Sequence, residues 1–75
     1  MIRKSRLLKL VEEKESADLR IGLEIRIIRM NLGLTMKEFA EKIGVTDGFI
    51  SQVEHGNSGI SKKHVMKIIE LEDNQ

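Results

Sequence analysis

Apolar residues recur at helical spacing along most of this 75-residue chain, and glycines or short polar residues separate one run from the next. In residues 1–14, Leu7, Leu8 and Val11 fall at positions i, i+1 and i+4, with Leu10 beside them. This spacing predicts a short amphipathic helix near the start of the chain.

The second run predicts a helix over residues 19–31, because Ile21, Ile25 and Ile28 share one helical face. Gly33 follows this run, and glycine readily takes the left-handed conformation in which many helices end. The second helix is therefore expected to stop at this glycine, and a new element is expected to begin just after it.

A short third helix is predicted over residues 36–43. Thr35 and Glu38 have the spacing of a capping box, in which each side chain accepts a hydrogen bond from the backbone N–H of the other residue. Gly44 is expected to end this helix after about two turns. The residues expected to turn inward are Phe39, Ala40 and Ile43.

A fourth helix is predicted only three residues later. Thr46 is a suitable N-cap, and Gly56 is expected to close the helix. Ile50 and Val53 lie three positions apart, so both are expected to face the core.

The last helix is predicted over residues 62–72, with Ser61 as its N-cap. Its expected apolar face is Val65, Met66, Ile68, Ile69 and Leu71. These elements together predict an all-α chain of four to five helices. Residues 1–18 are expected to form a basic or amphipathic arm or helix, and residues 19–75 the main domain.

Composition narrows the range of possible functions. Cysteine is absent, and His55 and His64 cannot form a metal site by themselves. The sequence contains no nucleophile–base arrangement and no phosphate-binding loop, so no catalytic residue, metal, cofactor or small-molecule substrate is expected.

No apolar run approaches the ~20 residues that cross a bilayer. Because Arg6 and Lys9 interrupt the first apolar stretch, a signal peptide is not expected, and a cytoplasmic protein without a membrane partner is predicted.

The formal net charge is +1, but the charges are unevenly distributed. Residues 1–11 carry four basic residues and no acid, residues 12–18 carry four acids and one lysine, and residues 19–75 carry eight of each sign. A basic segment therefore precedes a neutral body. This is only a weak electrostatic argument for nucleic acid, because domains recognised by their charge are more basic.

The most informative unit is residues 35–56, two short helices joined by the three-residue turn 44–46. This is the geometry of a helix-turn-helix. Ala40 is small enough to let the second helix cross close to the first, and Gly44 takes up the sharp turn. The solvent face of the second helix then projects as a rod that fits the major groove of DNA, which is roughly 12 Å wide.

Residues 21–56 also resemble the Cro/repressor-type (XRE) helix-turn-helix family. The matching positions are Ile21, Gly22, Ile25, Arg26, Ile28, Arg29, Leu32–Thr35, Phe39–Thr46, Ile50, Ser51 and Val53–Gly56. The resemblance implies a compact lambda-repressor-like fold of four to five helices. It also implies that residues 46–55 are the recognition helix, and that Arg29 and Glu54 form a structural ion pair.

Helical phase and the resemblance indicate the same base-facing positions on the recognition helix. Ile50 and Val53 face inward, so the opposite side is free to meet the base edges. The residues expected there are Asp47, Gly48, Ser51 and Gln52. Gln52 is the best candidate for direct readout, since glutamine can form two hydrogen bonds to adenine. Asp47 either accepts a hydrogen bond from cytosine or only stabilises the helix start.

Phosphates are expected on both sides of the recognition helix, where helix N-termini and lysines can hold them. The candidates are Thr35, Met36, Lys37, Thr46, His55, Asn57, Ser58, Lys62 and Lys63. Gln52 and Ser51 also have a simpler interpretation as solvated helix surface, and Asn57 and Ser58 as loop residues. For His55 and His64, this simpler interpretation as exposed polar residues is preferred.

The leading hypothesis is a sequence-specific transcriptional regulator that binds double-stranded DNA as a homodimer. The resemblance implies a small repressor of the phage, plasmid or mobile-element type. The alternative is a protein-interaction module on the same fold, of the antitoxin-like or antirepressor-like kind.

Two assignments stay open at this point. Residues 1–14 form a basic arm that touches DNA, a helix that packs on the body or on a partner chain, or only a tail. The helix accounts best for the burial that four clustered aliphatic residues need. The dimer interface is formed either by this helix or by Met66, Ile69 and Leu71 across a two-fold axis.

Overall fold

The computed structural model describes residues 6–12 and 17–74, and every regular element in these residues is an α-helix. The helices are α1 (Arg6–Glu12), α2 (Asp18–Asn31), α3 (Met36–Ile43), α4 (Asp47–Glu54) and α5 (Lys62–Asp73). They pack with a Cα radius of gyration of 11.4 Å. The predicted all-α helix-turn-helix fold is therefore confirmed. Within the described residues, no helix is long and apolar enough to cross a membrane.

The end of α2 has the backbone geometry that the sequence predicts. Gly33 has a φ of 71°. Its N–H donates to the carbonyl of Met30 at 3.0 Å, and the N–H of Leu34 donates to the carbonyl of Arg29 at 3.2 Å. This pair of bonds is a Schellman motif, which satisfies carbonyls that the helix end would otherwise leave unpaired. It also turns the chain sharply toward α3.

The turn between α3 and α4 is confirmed in the same detail. The hydroxyl of Thr35 accepts from the N–H of Glu38 at 3.1 Å, and the Glu38 carboxylate accepts from the N–H of Thr35 at 2.9 Å. Gly44 ends α3 with a φ of 81°. The hydroxyl of Thr46 then accepts from the N–H of Phe49 at 3.1 Å, which starts α4. Two caps and one glycine thus fix the length of both helices.

Helix α1 is packed on the body of the protein. Leu7 is completely buried, and α1 contacts α2 and α5. Of the three interpretations of the first segment, the packed helix therefore holds for residues 6–12. The remainder of the predicted helix, residues 1–5 and 13–14, lies outside the described residues.

The core receives at least one side chain from each helix. Its buried members are Leu7, Ile25, Ile28, Phe39, Ala40, Ile43, Ile50, Val53, Val65 and Ile68. The inward residues predicted for α3 and α4 are all among them. These contacts hold α4 against α2 and α3, and α3 also against α5, while the outer side of α4 stays uncovered.

Two side chains of α5 differ in exposure from what the sequence predicts. Met66, predicted to face inward, is 43% exposed, and His64, predicted to be exposed, is half-buried. Val65 and Ile68 are the fully buried residues of this helix. At about 100° per residue, Met66 lies about 130° from the midpoint of that pair, whereas His64 lies only about 70° from it. The helix itself ends at Asp73, one residue later than predicted.

Candidate nucleic-acid interface

Helix α4 turns one side into the core and the other to solvent. Ile50, Val53 and Glu54 are buried. On the opposite side Gly48 and Gln52 are exposed. The helix is therefore held along one face only, and its outer face is an accessible rod of about two turns.

The four candidate base-facing residues differ in exposure. Asp47, Gly48 and Gln52 are exposed, whereas Ser51 is half-buried and lies toward the edge of the face. The Asp47 carboxylate accepts from the N–H of Gly48 at 3.0 Å, so part of its hydrogen-bonding capacity is used within the first turn of α4. Gln52 is thus the longest polar side chain of the four that extends into solvent.

An ion pair fixes α4 against α2. The Arg29 guanidinium donates to both carboxylate oxygens of Glu54, with Nε–Oε2 at 2.8 Å and Nη2–Oε1 at 3.2 Å. Its third contact is the carbonyl of Leu34, at 2.9 Å. The Glu54 side chain is 2% exposed and that of Arg29 13%. A bidentate pair of this kind restricts both the rotation and the sliding of one helix relative to the other.

The two helices also approach each other closely at Gly22. A Cβ atom at this position would overlap the backbone carbonyl of Val53. A second close approach occurs at Gly56, where an added Cβ would lie 2.9 Å from the Cα of Leu19. Glycine at these positions lets the C-terminal half of α4 lie directly against α2.

The candidate phosphate contacts preceding the recognition helix are mostly exposed. Lys37 and Thr46 are exposed, whereas Met36 is half-buried and packs against the core. The Thr35 hydroxyl is part of the capping box. Lys37 is therefore the exposed cationic candidate on this side of α4.

A negative charge lies at the same end of α3. The N–H of Thr35 donates to the Glu38 carboxylate, and the Thr35 hydroxyl also bonds it. These bonds, together with the positive charge of Lys42, hold the pKa of Glu38 below its ordinary value. Since the carboxylate stays ionised, it opposes any phosphate that approaches the N-terminus of α3.

The candidates following α4 lie in a loop and at the start of α5. His55, Asn57, Lys62 and Lys63 are exposed. The ring Nδ1 of His55 lies 2.7 Å from the carbonyl oxygen of Ser51 and is engaged there. Ser58 is half-buried and donates to the carbonyl of Gly59 at 3.2 Å. The two lysines and Asn57 remain the long polar side chains that extend from this region.

A contact that was not predicted from the sequence joins α4 to the start of α5. Phe49 is half-buried, and its ring lies 6.2 Å from the ring of His64 at an angle of 56°. The Nδ1 atom of His64 is in turn 2.9 Å from the Ser61 hydroxyl. Helical phase could have indicated this contact, because Phe49 lies only about 40° from the buried Val53. It positions Lys62 and Lys63 relative to α4.

Other chemistry is sparse in this region. Among residues 6–12 and 17–74, no group of three or more histidine, aspartate or glutamate side chains is arranged to hold a metal ion. The arrangement instead offers a polar helix face, with cationic side chains before and after it. Such a face can meet the edges of base pairs while its flanks meet phosphates.

Comparison with known proteins places this geometry in a family. Residues 25–71 match the family model described as Helix-turn-helix. The match covers more than half of the chain, including α3, the turn and α4, and supports a DNA-binding regulator of a generally non-enzymatic fold. No curated protein and no solved structure matches the chain. The chain belongs to the Cro/repressor-type (XRE) helix-turn-helix family.

Proposed function

We propose that this protein is a sequence-specific transcriptional repressor of the small phage, plasmid or mobile-element type, and that α4 enters the major groove of its operator. The observation that carries the proposal is the exposed polar face of α4 on a helix fixed by the Arg29–Glu54 pair. A recognition helix must be held rigidly, because a shift of about 1 Å misplaces its hydrogen bonds to the bases.

In this proposal, Gln52 reads an adenine, and Ser51 bonds a base or a phosphate at the edge of the interface. Asp47 and Gly48 lie against the bases, where Asp47 can accept from the amino group of cytosine. The phosphate contacts are assigned to Thr35, Met36, Lys37, Thr46, His55, Asn57, Ser58, Lys62 and Lys63. Met36 would contribute its backbone N–H at the helix start rather than its half-buried side chain.

The proposal includes a homodimer that binds two half-sites about one helical turn apart. One short helix with a glycine among its four base-facing residues discriminates only weakly between DNA sequences. Two copies bound to one duplex increase this sequence discrimination. Met66 supports an interface through α5, because it is the exposed apolar side chain of that helix and Ile69 beside it is half-buried.

The test is a titration of the protein into a labelled duplex from upstream of its gene, followed by fluorescence anisotropy at two salt concentrations. A specific regulator binds despite mixed-sequence competitor. With three lysines on phosphates, Lys37, Lys62 and Lys63, the affinity is expected to fall about fortyfold per bound protomer between roughly 50 and 200 mM salt. If the mixed-sequence competitor abolishes binding, the protein is not specific for this duplex. Duplexes from other intergenic regions would then be screened in the same way.

Two single-charge variants separate phosphate contacts from general charge. Lys37→Ala is expected to weaken binding to all sequences and to reduce the salt slope by about one unit. Arg20→Ala removes the same charge from the far side of α2, so it is expected to leave the slope unchanged. Equal effects of the two substitutions would contradict the proposed placement of the duplex.

A second candidate function is a protein-interaction module of the antitoxin-like or antirepressor-like kind. It is favoured by the carboxylates of Glu38 and Asp47, which lie at the N-termini of α3 and α4 and oppose phosphates. The same titration distinguishes the two functions. The absence of binding to any duplex at either salt concentration would favour the second candidate.

A further inference from the structure

Helix α2 carries apolar side chains on its outer face as well as on its buried face. Leu19, Leu23, Ile27 and Met30 are between 46% and 60% exposed. Their spacings of four, four and three residues place them within one arc of the helix, over a length of about 16 Å. We call these four residues the α2 stripe.

A groove runs beside the α2 stripe, between α1 and α2. Its volume is about 210 Å³, and it is lined by Arg6, Leu10, Arg20, Leu23, Glu24 and Ile27. Leu10 is half-buried on the α1 side. The α2 stripe and this groove together form a continuous apolar surface, which we call the α1–α2 surface. It is on the order of a few hundred Å², the size at which apolar patches on monomeric domains are often functional.

The charges around the α1–α2 surface are predominantly positive. Arg20 and Arg26 are exposed on α2, and helical phase places them on opposite edges of the α2 stripe. Arg6 lies across the groove with its side chain 83% exposed, 3.5 Å from the carboxylate of Glu24. The charges of Arg6 and Glu24 offset each other, so Arg20 and Arg26 give the edges of this surface a net positive charge.

The proposed DNA complex leaves this surface uncovered. The side of α2 that contains Gly22 and Ile25 is buried, and Gly22 lies against Val53 of α4. Leu23, Ile27 and Met30 are on the opposite side of the same helix, whereas Leu19, at the start of α2, lies beside Gly56. DNA on the outer face of α4 would therefore be separated from Leu23 and Ile27 by the thickness of both helices, and the groove and most of the α2 stripe stay accessible.

A second copy of this chain fits the α1–α2 surface poorly. In a two-fold contact between two α2 stripes, each helix would bring an arginine along both of its edges, because Arg20 and Arg26 flank the stripe on opposite sides. Like charges would then meet on both sides of the contact, in either orientation of the helices. Like charges placed opposite each other disfavour this contact between two copies of the chain.

We propose that the α1–α2 surface binds an amphipathic helix of another protein, with apolar residues on one face and acidic residues along both edges of that face. The apolar side chains would pack on the α2 stripe and the groove, and the acids would pair with Arg20 and Arg26. This is the helix-in-groove mode of recognition, with charge complementarity setting the orientation. The protein would then bind DNA and a partner through opposite sides of α2 and α4.

The experiment uses the full chain and two synthetic helical peptides. Both peptides carry leucines on one face at helical spacing, and the edges carry glutamates in one peptide and lysines in the other. Binding is followed by NMR chemical shifts of the backbone amides and by fluorescence anisotropy of the labelled peptide. The acidic peptide is expected to shift the amides of α1 and α2, and the basic peptide to bind at least about tenfold more weakly.

Matched variants locate the contact on the protein. Leu23→Ser and Ile27→Ser replace exposed side chains of the α2 stripe, and each is expected to weaken the acidic peptide at least about tenfold. Met66→Ser replaces an exposed apolar side chain on α5, outside the α1–α2 surface, and is expected to leave binding of the acidic peptide unchanged. The affinity of the Leu23→Ser and Ile27→Ser variants for DNA is expected to match that of the parent chain, so a failure of this inference is distinguishable from a failure of the proposed function.

Four outcomes would overturn the inference. The first is the absence of amide shifts in α2 at millimolar peptide, and the second is equal binding of the acidic and basic peptides. The third is concentration-dependent self-association that Leu23→Ser abolishes. The fourth is binding to anionic phospholipid vesicles without binding to the acidic peptide. The third would assign the α1–α2 surface to a second copy, and the fourth to a membrane surface.

Discussion

At the scale of single residues, one carboxylate in the first turn of α3 takes part in several hydrogen bonds and charge interactions. Glu38 accepts from the N–H of Thr35, bonds its hydroxyl and lies near Lys42. All three interactions favour the ionised carboxylate and lower the pKa of Glu38. In the unfolded chain none of them exists, so the folded pKa lies below the unfolded one.

The first prediction concerns the pH dependence that follows from this difference. The stabilisation is fully present above the unfolded pKa of Glu38 and is lost as the pH falls through the lower folded pKa. Thr35→Val removes the hydroxyl, so it is expected to raise the folded pKa of Glu38 part of the way, while Thr35→Ser should leave it low. Carbon-13 NMR titration of the carboxyl group measures this. A pKa of Glu38 that is identical in the parent and both variants would contradict the capping explanation.

A second residue-scale prediction concerns Gln52, the exposed amide of α4. In the proposed complex, Gln52→Ala removes two hydrogen bonds to one adenine. It is expected to relax specificity at that position by about 1–3 kcal/mol, while discrimination at other positions stays unchanged. Binding assays with duplexes substituted at each position of the operator measure this effect. A uniform loss of affinity across all duplexes would indicate that Gln52 contacts the backbone instead of a base.

At the scale of elements, the packing of α4 on α2 depends on one glycine, which has no side chain, and on one ion pair. Gly22 allows the backbone of α4 to lie against α2, and the Arg29–Glu54 pair fixes the register of that contact. The buried pair by itself need not stabilise the fold, because removing its two charges from water has a free-energy cost. Its clearer effect is to select one placement of α4.

The third prediction compares two helical glycines. Gly22→Ala places a methyl group on the carbonyl of Val53, so α2 and α4 must separate. We expect a loss of about 2 kcal/mol or more in the free energy of unfolding, despite the better helix propensity of alanine. Gly48→Ala meets no heavy atom within 4 Å, so it is expected to raise the free energy of unfolding by about 0.5–1 kcal/mol.

Urea unfolding followed by circular dichroism measures both substitutions. Because the two changes are chemically identical, the difference between them reports the packing of α2 on α4 alone. Two gains in stability would show that α2 can move away from α4 without penalty, contrary to the close approach in this structure.

The local elements were more predictable than their packing. The caps at Thr35 and Thr46 and the glycine turn at Gly44 depend on neighbouring residues, and the sequence pattern located them correctly. Which side of α5 is buried depends on the helices that pack against it. The sequence pattern does not show these neighbours, so Met66 was predicted on the wrong side. The unoccupied α2 stripe was missed for a similar reason, because its apolar residues resemble core residues until the packing is known.

At the scale of the whole molecule, the family match and the folded unit differ in extent. The match covers residues 25–71, so it omits α1 and the first part of α2. Nevertheless α1 packs against α2 and α5, and Leu7 is in the same buried cluster as Val65 and Ile68. The structure therefore includes α1 in the hydrophobic core, although sequence comparison identifies the fold without it.

The last prediction tests whether α1 is an integral part of the fold. A domain of 75 residues is expected to be stable by roughly 4–11 kcal/mol. Leu7→Ala leaves a cavity in a fully buried site, so it is expected to cost about 2–4 kcal/mol and to lower Tm by at least about 10 °C. Leu10→Ala removes a half-buried side chain of the same helix and is expected to cost about 1 kcal/mol or less. If thermal unfolding showed equal, small effects of both substitutions, α1 would be an appendage, and residues 17–74 alone would account for the stability.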